Sequence, residues 1–335
     1  MSIDNEEFSR LVEPYRRELL AHCYRMLGSV HDAEDAVQET LVRAWRSYDN
    51  FEGRSSLRNW LYRIATNASL RAIEQRGRRP LPSGLGSPSD DPAYSLAPPR
   101  TDVAWLEPAP DDLLGVEPPD PATVVGLRGS IRLAFVATLQ YLPARQRAVL
   151  ILREVLGLSA AEVAELLETS TAAVNSMLQR ARAQLADAAP VEEQMTEPAQ
   201  PNTRALVDRY AAAIEGADLD EFRRMLLESV ALEMPPTPTW FSGRDAVTGF
   251  FEARGILGVP GRLRMVPTRA NGQPAAAEYQ LEADGLYHAV GIHVLDVSDG
   301  KVARMTVFFD TDLFPFFGLP ATLDAETAPS QRARP

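Results

Sequence analysis

The sequence predicts a multidomain chain, with two all-α modules followed by a cone-shaped α+β domain at the C-terminus. Three observations predict it. Apolar residues recur at three- and four-residue spacing over 8–75 and again over 131–188, as helices with one buried face require. Between these stretches, 77–123 contains 11 of the 26 prolines and has no sustained periodicity. Beyond 202, helical spacing gives way to strand alternation broken by Asn271-Gly272 and Asp299-Gly300, the dipeptides of tight hairpins.

In the first module, Leu19, Leu20, Cys23, Tyr24 and Leu27 form one apolar stripe, which Gly28-Ser29 ends. A second helix starts near Asp32, and its buried side is expected to carry Val37, Leu41, Ala44 and Trp45. Its polar stripe, Asp35, Gln38, Glu39 and Arg43, is too hydrophilic for a core. A loop over 51–58 leads to a third helix bearing Trp60, Leu61, Ile64 and Ala68. Arg63, Asn67 and Arg71 recur every four residues on one face of that helix, and Arg76, Arg78 and Arg79 extend it.

The segment that follows carries one Arg against eight acids over 80–127, together with its prolines. Such a composition cannot bury enough apolar surface to order itself, so 77–127 reads as an acidic linker. Its apolar island, Val103-Ala104-Trp105-Leu106, is expected to dock on a folded surface.

Residues 128–188 read as a helix-turn-helix. Ser159 can cap a helix while Glu162 reaches back to it. Glu168-Thr169-Ser170 is a short polar turn, and the next helix is expected to bury Val174, Leu178, Ala181 and Leu185. Its other side shows Ser170, Thr171, Asn175, Ser176, Gln179, Arg180 and Arg182, side chains able to read base edges and hold phosphates in a major groove. The overall charge of −12 opposes nucleic-acid binding, but the acids concentrate in the linker and the C-terminal part. Such a chain is expected to bind DNA weakly alone and to depend on a larger partner for phosphate contacts.

These residues carry a resemblance. The run LPARQRAVLILREVLGLSAAEVAELLETSTAAVNSMLQRARAQL resembles region 4 of extracytoplasmic-function sigma factors, the module that reads the −35 promoter element. HDAEDAVQETLVRAW resembles the region 2 segment of the same family that docks on the coiled coil of the polymerase β′ subunit. FEGRSSLRNWLYRIATNASLRAIEQRGRRP resembles the segment that melts and reads the −10 element. The resemblance implies a region 2 bundle over 8–76, a region 4 helix-turn-helix over 128–188, and core RNA polymerase (β′ coiled coil and β flap) and promoter DNA as partners. It assigns polymerase binding to Asp35, Gln38, Glu39, Leu41, Val42 and Arg43. The −10 contacts fall on Phe51, Arg54, Ser55, Ser56, Arg63, Asn67, Arg71, Arg76, Arg78 and Arg79. Gly53 would let the backbone approach a base, Phe51 would stack, and the serines would bond an extruded base edge. Family members often carry an acid where Arg71 stands, which leaves the −10 base preference open.

After a hinge at 189–201, residues 202–320 read as helices followed by a meander of strands at 262–268, 275–282, 285–297 and 301–309. RYAAAIEGADLDEFRRMLLESVALEMPPTPTWFSGRDAV and VFFDTDLFPFFGLP resemble the SnoaL-like branch of the nuclear-transport-factor-type fold. Some extracytoplasmic-function sigma factors end in such a domain, here expected to act as a built-in regulator. The even positions of the third strand, including His288, read as its buried side. With Tyr210, Met234, Trp240, Tyr279 and Phe308, His288 would line a pocket for a small apolar ligand. Parity puts His293 on the opposite face unless a bulge intervenes. The alternative is an isomerase- or cyclase-like module, against which stands the lack of a second catalytic group beside His288. Residues 321–335 read as a disordered tail.

The single cysteine, Cys23, excludes an internal disulfide. The sequence has no metal-ligand spacing, no phosphate-binding glycine loop and no nucleophile–base arrangement, so no metal, cofactor or enzyme activity is expected. It also lacks a signal peptide and an apolar run of membrane-spanning length, so a cytoplasmic protein without membrane contact is expected.

Overall fold

The computed structural model describes residues 4–51, 53, 55–91, 93, 96–115, 130–188 and 200–324. They form two compact units, Met1–Pro80 with Ala104–Glu192, and Leu81–Val103 with Glu193–Pro335.

The first unit opens with helices α1 (Asn5–Val12), α2 (Arg16–Leu27), α3 (Val30–Ser47) and α4 (Leu57–Arg76). The α2 stripe expected from sequence is buried, with Leu19 and Cys23 fully enclosed. Gly28 ends α2 in the left-handed conformation at φ +68°, and a Cβ there would meet Leu106 Cδ1 at 2.7 Å. Glycine is required twice over at this position, for its backbone angle and for the close approach of the later chain. Ser29 then caps α3 by accepting from the Asp32 amide.

The helix-turn-helix packs within this same unit. Arg147 is 2 % exposed and ties the helix Ala144–Leu150 to α2 by donating to the Met26 carbonyl and to Gln140 Oε1 (2.8 Å). Burial lowers its guanidinium to about 10, still charged at neutral pH. The capping box forms as expected: Ser159 Oγ accepts from the Glu162 amide (3.2 Å), and Glu162 Oε2 accepts from the Ser159 amide (2.8 Å).

The second unit is a curved mixed sheet with strand order β2-β1-β6-β5-β4-β3. The strands are β1 (Leu226–Glu233), β2 (Trp240–Ser242), β3 (Leu263–Ala270), β4 (Gln273–Leu281), β5 (Leu286–Ser298) and β6 (Lys301–Phe308); β7 (Thr322–Asp324) pairs with β5 off this path. Both hairpin dipeptides occupy the expected turns, with positive φ at Asn271, Gly272, Asp299 and Gly300. The helices Gln200–Glu215, Leu219–Met225 and Arg244–Ala253 contribute Tyr210, Phe222 and Phe250 to the core on one face of the sheet.

Several expectations are corrected here. β1 and β2 were not anticipated, and β1 runs parallel to β6. The β7 strand lies where a disordered tail was expected: its backbone bonds the free edge at Leu286–His288, whereas 325–335 lie outside the described residues. The linker is ordered wherever it is described. It builds no core of its own; its polar backbone groups find partners on folded elements. Ser89 N donates to Trp240 O (2.8 Å), Arg100 N to Pro236 O (2.9 Å), and Ser83 N to the Glu233 carboxylate (2.9 Å). The rest of the linker, 116–127, and most of the hinge, 189–199, fall outside the described residues.

The candidate pocket residues are not brought together. A register shift opposite Glu278 and Tyr279 inserts one extra residue into β5 and reverses its parity. His288 consequently lies half-exposed at the strand end, paired with Asp284 at 2.8 Å. Tyr279 Oη donates to Pro320 O, and its ring packs edge-on against Phe314. Phe308 pairs with Ile292, one register step from the core-facing pair His293 and Val307. Trp240 donates through Nε1 to Gly86 O. Only Tyr210 and Met234 belong to the core cluster.

Candidate nucleic-acid interface

Three surfaces of the first unit carry the chemistry. The first is the outer side of α3. Asp35, Gln38, Val42 and Arg43 are exposed, Leu41 and Glu39 partly so. Glu39 is held between two arginines, Arg43 one turn along and Arg71 of α4 at 3.4 Å. Trp45, expected in the core, is 46 % exposed, beside Val42 at 44 %. Helical phase explains this: Val37 and Ala44 are a full seven residues apart and take the buried side, while position 45 rotates outward with 42. An exposed Trp–Val pair within a charged face marks an interface more strongly than the charges alone. Sequence periodicity misassigned it because Trp45 sits at the boundary of the apolar arc.

The second surface is the loop 51–56 and the start of α4. Ser56 caps α4 by accepting from the Asn59 amide at 3.1 Å, so its hydroxyl already has a structural role. Phe51 packs against Trp60 (centroids 4.8 Å apart) and stacks on Tyr48 at 6.2 Å. Gly53 adopts φ +67° with nothing within 4 Å of a Cβ, which leaves its backbone open to approach. Ser55 is partly buried, and Arg54 lies outside the described residues. Arg63 is exposed and Asn67 partly so, on one α4 face.

The basic extension behaves differently from the expectation of three phosphate contacts. Arg79 is 8 % exposed, with Nη2 on Asp32 (2.5 Å) and Nη1 on Trp105 O (2.7 Å). Arg76 also pairs with Asp32, and Arg78 lies over the Tyr141 ring at 4.4 Å. The buried acid Asp32 holds Arg79 inside, whereas Arg76 and Arg78 remain exposed and open to a phosphate. Glu107 completes the cluster: it accepts from Ser29 Oγ (2.7 Å), bonds His31 Nδ1 (2.9 Å), and its backbone N donates to Gly28 O. Within the first unit, Trp105 and Leu106 of the apolar island therefore dock against Arg79, Pro80 and Gly28, and Leu106 is fully buried.

The third surface is the helix Thr171–Ala188. Val174, Leu178 and Ala181 are buried and Leu185 partly so, while Thr171, Asn175, Ser176, Gln179, Arg180 and Arg182 all face solvent. Ser170 accepts from the Ala173 amide and caps this helix. Arg182 pairs with Glu154 at 2.6 Å. The second surface meets the first helix and turn of the helix-turn-helix, outside the third surface: Asn59 Nδ2 donates to Glu162 Oε1 (3.3 Å), and Arg63 pairs with Glu168.

Comparison with known proteins places this geometry. Residues 11–79 match the sigma-70 region 2 model, 132–185 the sigma-70 region 4 model, and 207–305 the SnoaL-like domain model. The chain is 51 % identical to the ECF RNA polymerase sigma factor SigG of Mycobacterium tuberculosis, over 95 % of this chain and 85 % of that one. It belongs to the extracytoplasmic-function sigma factors. SigW of Bacillus subtilis is 30 % identical over 53 % of this sigma factor, which is 87 % of its own length. The crystal structure of the Mycobacterium tuberculosis sigma factor SigJ shares the fold, with a TM-score of 0.58, 24 % identity and coverage of 93 % of this chain and 99 % of that one. As a sigma factor the chain binds core RNA polymerase and promoter DNA to start transcription. Among its described residues no helix is long and apolar enough to cross a membrane.

Proposed function

We propose that the outer side of α3, with Asp35, Gln38, Glu39, Leu41, Val42 and Arg43, binds core polymerase, and we add Trp45 to that set. The loop 51–56 and Arg63, Asn67 and Arg71 of α4 engage the −10 element, and the exposed face from Thr171 to Arg182 reads the −35 element. The observation that carries this reading is that last face: six polar side chains in solvent on a helix whose opposite side is anchored in the core. Arg79 is better assigned to holding the linker, because Asp32 and Trp105 already occupy its guanidinium.

The contacts Asn59–Glu162 and Arg63–Glu168 place the helix-turn-helix over part of the −10 reading face. Promoter binding then requires region 4 to move off α4. Exposed pairs of this kind are worth roughly 0–1 kcal/mol each, so the buried Arg147, donating to the Met26 carbonyl of α2, holds the closed arrangement more firmly than they do. The C-terminal domain serves as a built-in regulator of this factor, which works in the cytoplasm alongside polymerase and is not itself an enzyme.

Transcription in vitro on fragmented genomic DNA with core polymerase tests the reading, comparing the full chain with residues 1–190. Transcripts whose start sites share upstream elements support the promoter assignment. An equal yield from the two chains would remove the regulatory role of the C-terminal domain. No binding of core by either would overturn the α3 assignment.

A further inference from the structure

His293 on β5 is 3 % exposed, and both of its ring nitrogens are occupied. Nδ1 lies 2.7 Å from Tyr210 Oη and Nε2 lies 2.6 Å from Glu278 Oε2. Tyr210 Oη also lies 3.3 Å from Met305 Sδ. Buried polar groups need partners, and these satisfy one another in either of two ways. A neutral imidazole donates from Nε2 to Glu278 and accepts from Tyr210. A protonated one donates from both nitrogens, and the Tyr210 hydroxyl turns to Met305 Sδ. Burial, together with the charge of Glu278, pushes the Tyr210 hydroxyl well above its ordinary range, so it keeps its proton in both.

One acceptor is left over. Glu278 Oε1 takes no hydrogen bond from any described residue, and Glu278 and His293 line a cavity of about 230 Å³. Its walls are apolar and partly aromatic, with Phe251, Leu263, Val290, Val307 and Phe309, the last 42 % exposed. An apolar cavity of about 150 Å³ takes up benzene, so this one has room for a single ring with a short substituent. Arg254 and Arg262 also line it. A cation would meet two guanidiniums for one carboxylate, whereas a neutral donor would not.

We propose that this cavity binds a small hydroxylated aromatic molecule, its ring against Phe251 and Phe309 and its hydroxyl donating to Glu278 Oε1. Orientation comes from the Glu278–His293–Tyr210 chain, which fixes the carboxylate from behind. The inference goes beyond the regulatory reading and stands without it.

Calorimetric titration of the full chain with 4-ethylphenol, and with ethylbenzene as the ring without a hydroxyl, tests it. The phenol is expected to bind with a sub-millimolar Kd and the hydrocarbon about tenfold more weakly, the usual effect of losing a hydrogen bond to a charged group. Glu278→Gln should weaken the phenol about tenfold and leave ethylbenzene unchanged. Val290→Phe, which fills the cavity from its half-buried wall, should abolish binding of both while the melting temperature holds. Absence of binding by 4-ethylphenol, equal affinity for the two molecules, or unchanged phenol binding by Val290→Phe would each overturn the proposal. If Glu278→Gln fails to fold, the two-ligand comparison and Val290→Phe still decide it.

Discussion

Glu107 and His31 are joined by a 2.9 Å contact that ties the proline-rich segment to the first turn of α3. Burial works against ionisation of the Glu107 carboxyl, but hydrogen bonds from His31 and Ser29 and the charge of Arg79 outweigh it and hold the group below its usual value of 4.5. A carboxylate depressed in the folded chain adds stability above the unfolded value, and that stability disappears as pH falls through the folded one. Glu107→Gln is therefore expected to cost about 1–3 kcal/mol at pH 7 and less at a second pH well below 4.5, where the folded-state carboxyl takes up its proton. Denaturant midpoints at the two pH values check it, and an equal loss at both would refute it.

His22 sets a second pH dependence. Its ring is fully enclosed, with Nε2 2.9 Å from Thr66 Oγ1 and Nδ1 unpartnered. Burial, helped by the nearby Arg25 charge, lowers the imidazole to about 3 from 6.5. Between those values the unfolded chain takes up a proton that the folded chain refuses. The stabilising contribution is complete above pH 6.5 and falls on acidification by about 1.4 kcal/mol per pH unit. His22→Gln should flatten the pH dependence of stability between 6.5 and 5; a slope identical to that of the parent chain would count against this.

Trp45 and Val42 are exposed, so removing them costs little within the chain. Trp45→Ala and Val42→Asp should change folding stability by no more than about 0.5 kcal/mol. Each should weaken capture of core polymerase at least about tenfold, in keeping with the weight aromatic anchors carry in interfaces. Undiminished capture by both variants would show that polymerase docks elsewhere.

On the Thr171–Ala188 helix the exposed side chains should separate by role. Loss of a base-reading contact, as in Asn175→Ala or Gln179→Ala, is expected to cost about 1–3 kcal/mol on a cognate promoter and to relax specificity at one position. Loss of a phosphate contact, as in Arg180→Ala, should weaken all sequences alike and reduce the salt dependence. Holoenzyme binding to a panel of single-base promoter variants distinguishes the two, and a flat response to all three substitutions would dismiss this helix as the reader.

Glu168→Ala removes the partner of Arg63 and should favour the open arrangement of regions 2 and 4 by at most about 1 kcal/mol. A modest gain in promoter occupancy, up to about fivefold, is expected in a filter-binding titration, with no change in core affinity. Weaker occupancy would instead mean that Glu168 supports the DNA-bound form.

Local signals served the sequence reading well. The Ser159–Glu162 box, the Gly28 terminus and both hairpin dipeptides depend on residues within a few positions of one another, and all appear in the structure. Long-range relations did not. Nothing near Leu226 announces that β1 will lie parallel to β6, because its partner is some seventy-five residues away. The face of His293 turned on an extra residue opposite Glu278, which strand alternation cannot register. Arg79 read as a phosphate contact because its attractor, Asp32, is distant in sequence and buried. Trp45 shows the limit of apolar patterning: a residue at the edge of a helix arc is assigned by what covers it, and nothing within the described chain does.

The attachment of residues 81–103 to Trp240 and Pro236 also fixes an order of events at the ribosome. Regions 2 and 4 emerge complete before the strand that receives this segment has been made. Roughly 140 residues separate the segment from its receptor, so at about 5–20 residues per second the wait is on the order of ten seconds. Region 2 is finished throughout that interval, and region 4 joins it only for the last roughly 50 residues of synthesis, a few seconds at the same rate, during which the newborn molecule carries both promoter-reading modules joined by an unfastened strap. The fastening comes last, when the C-terminal sheet closes.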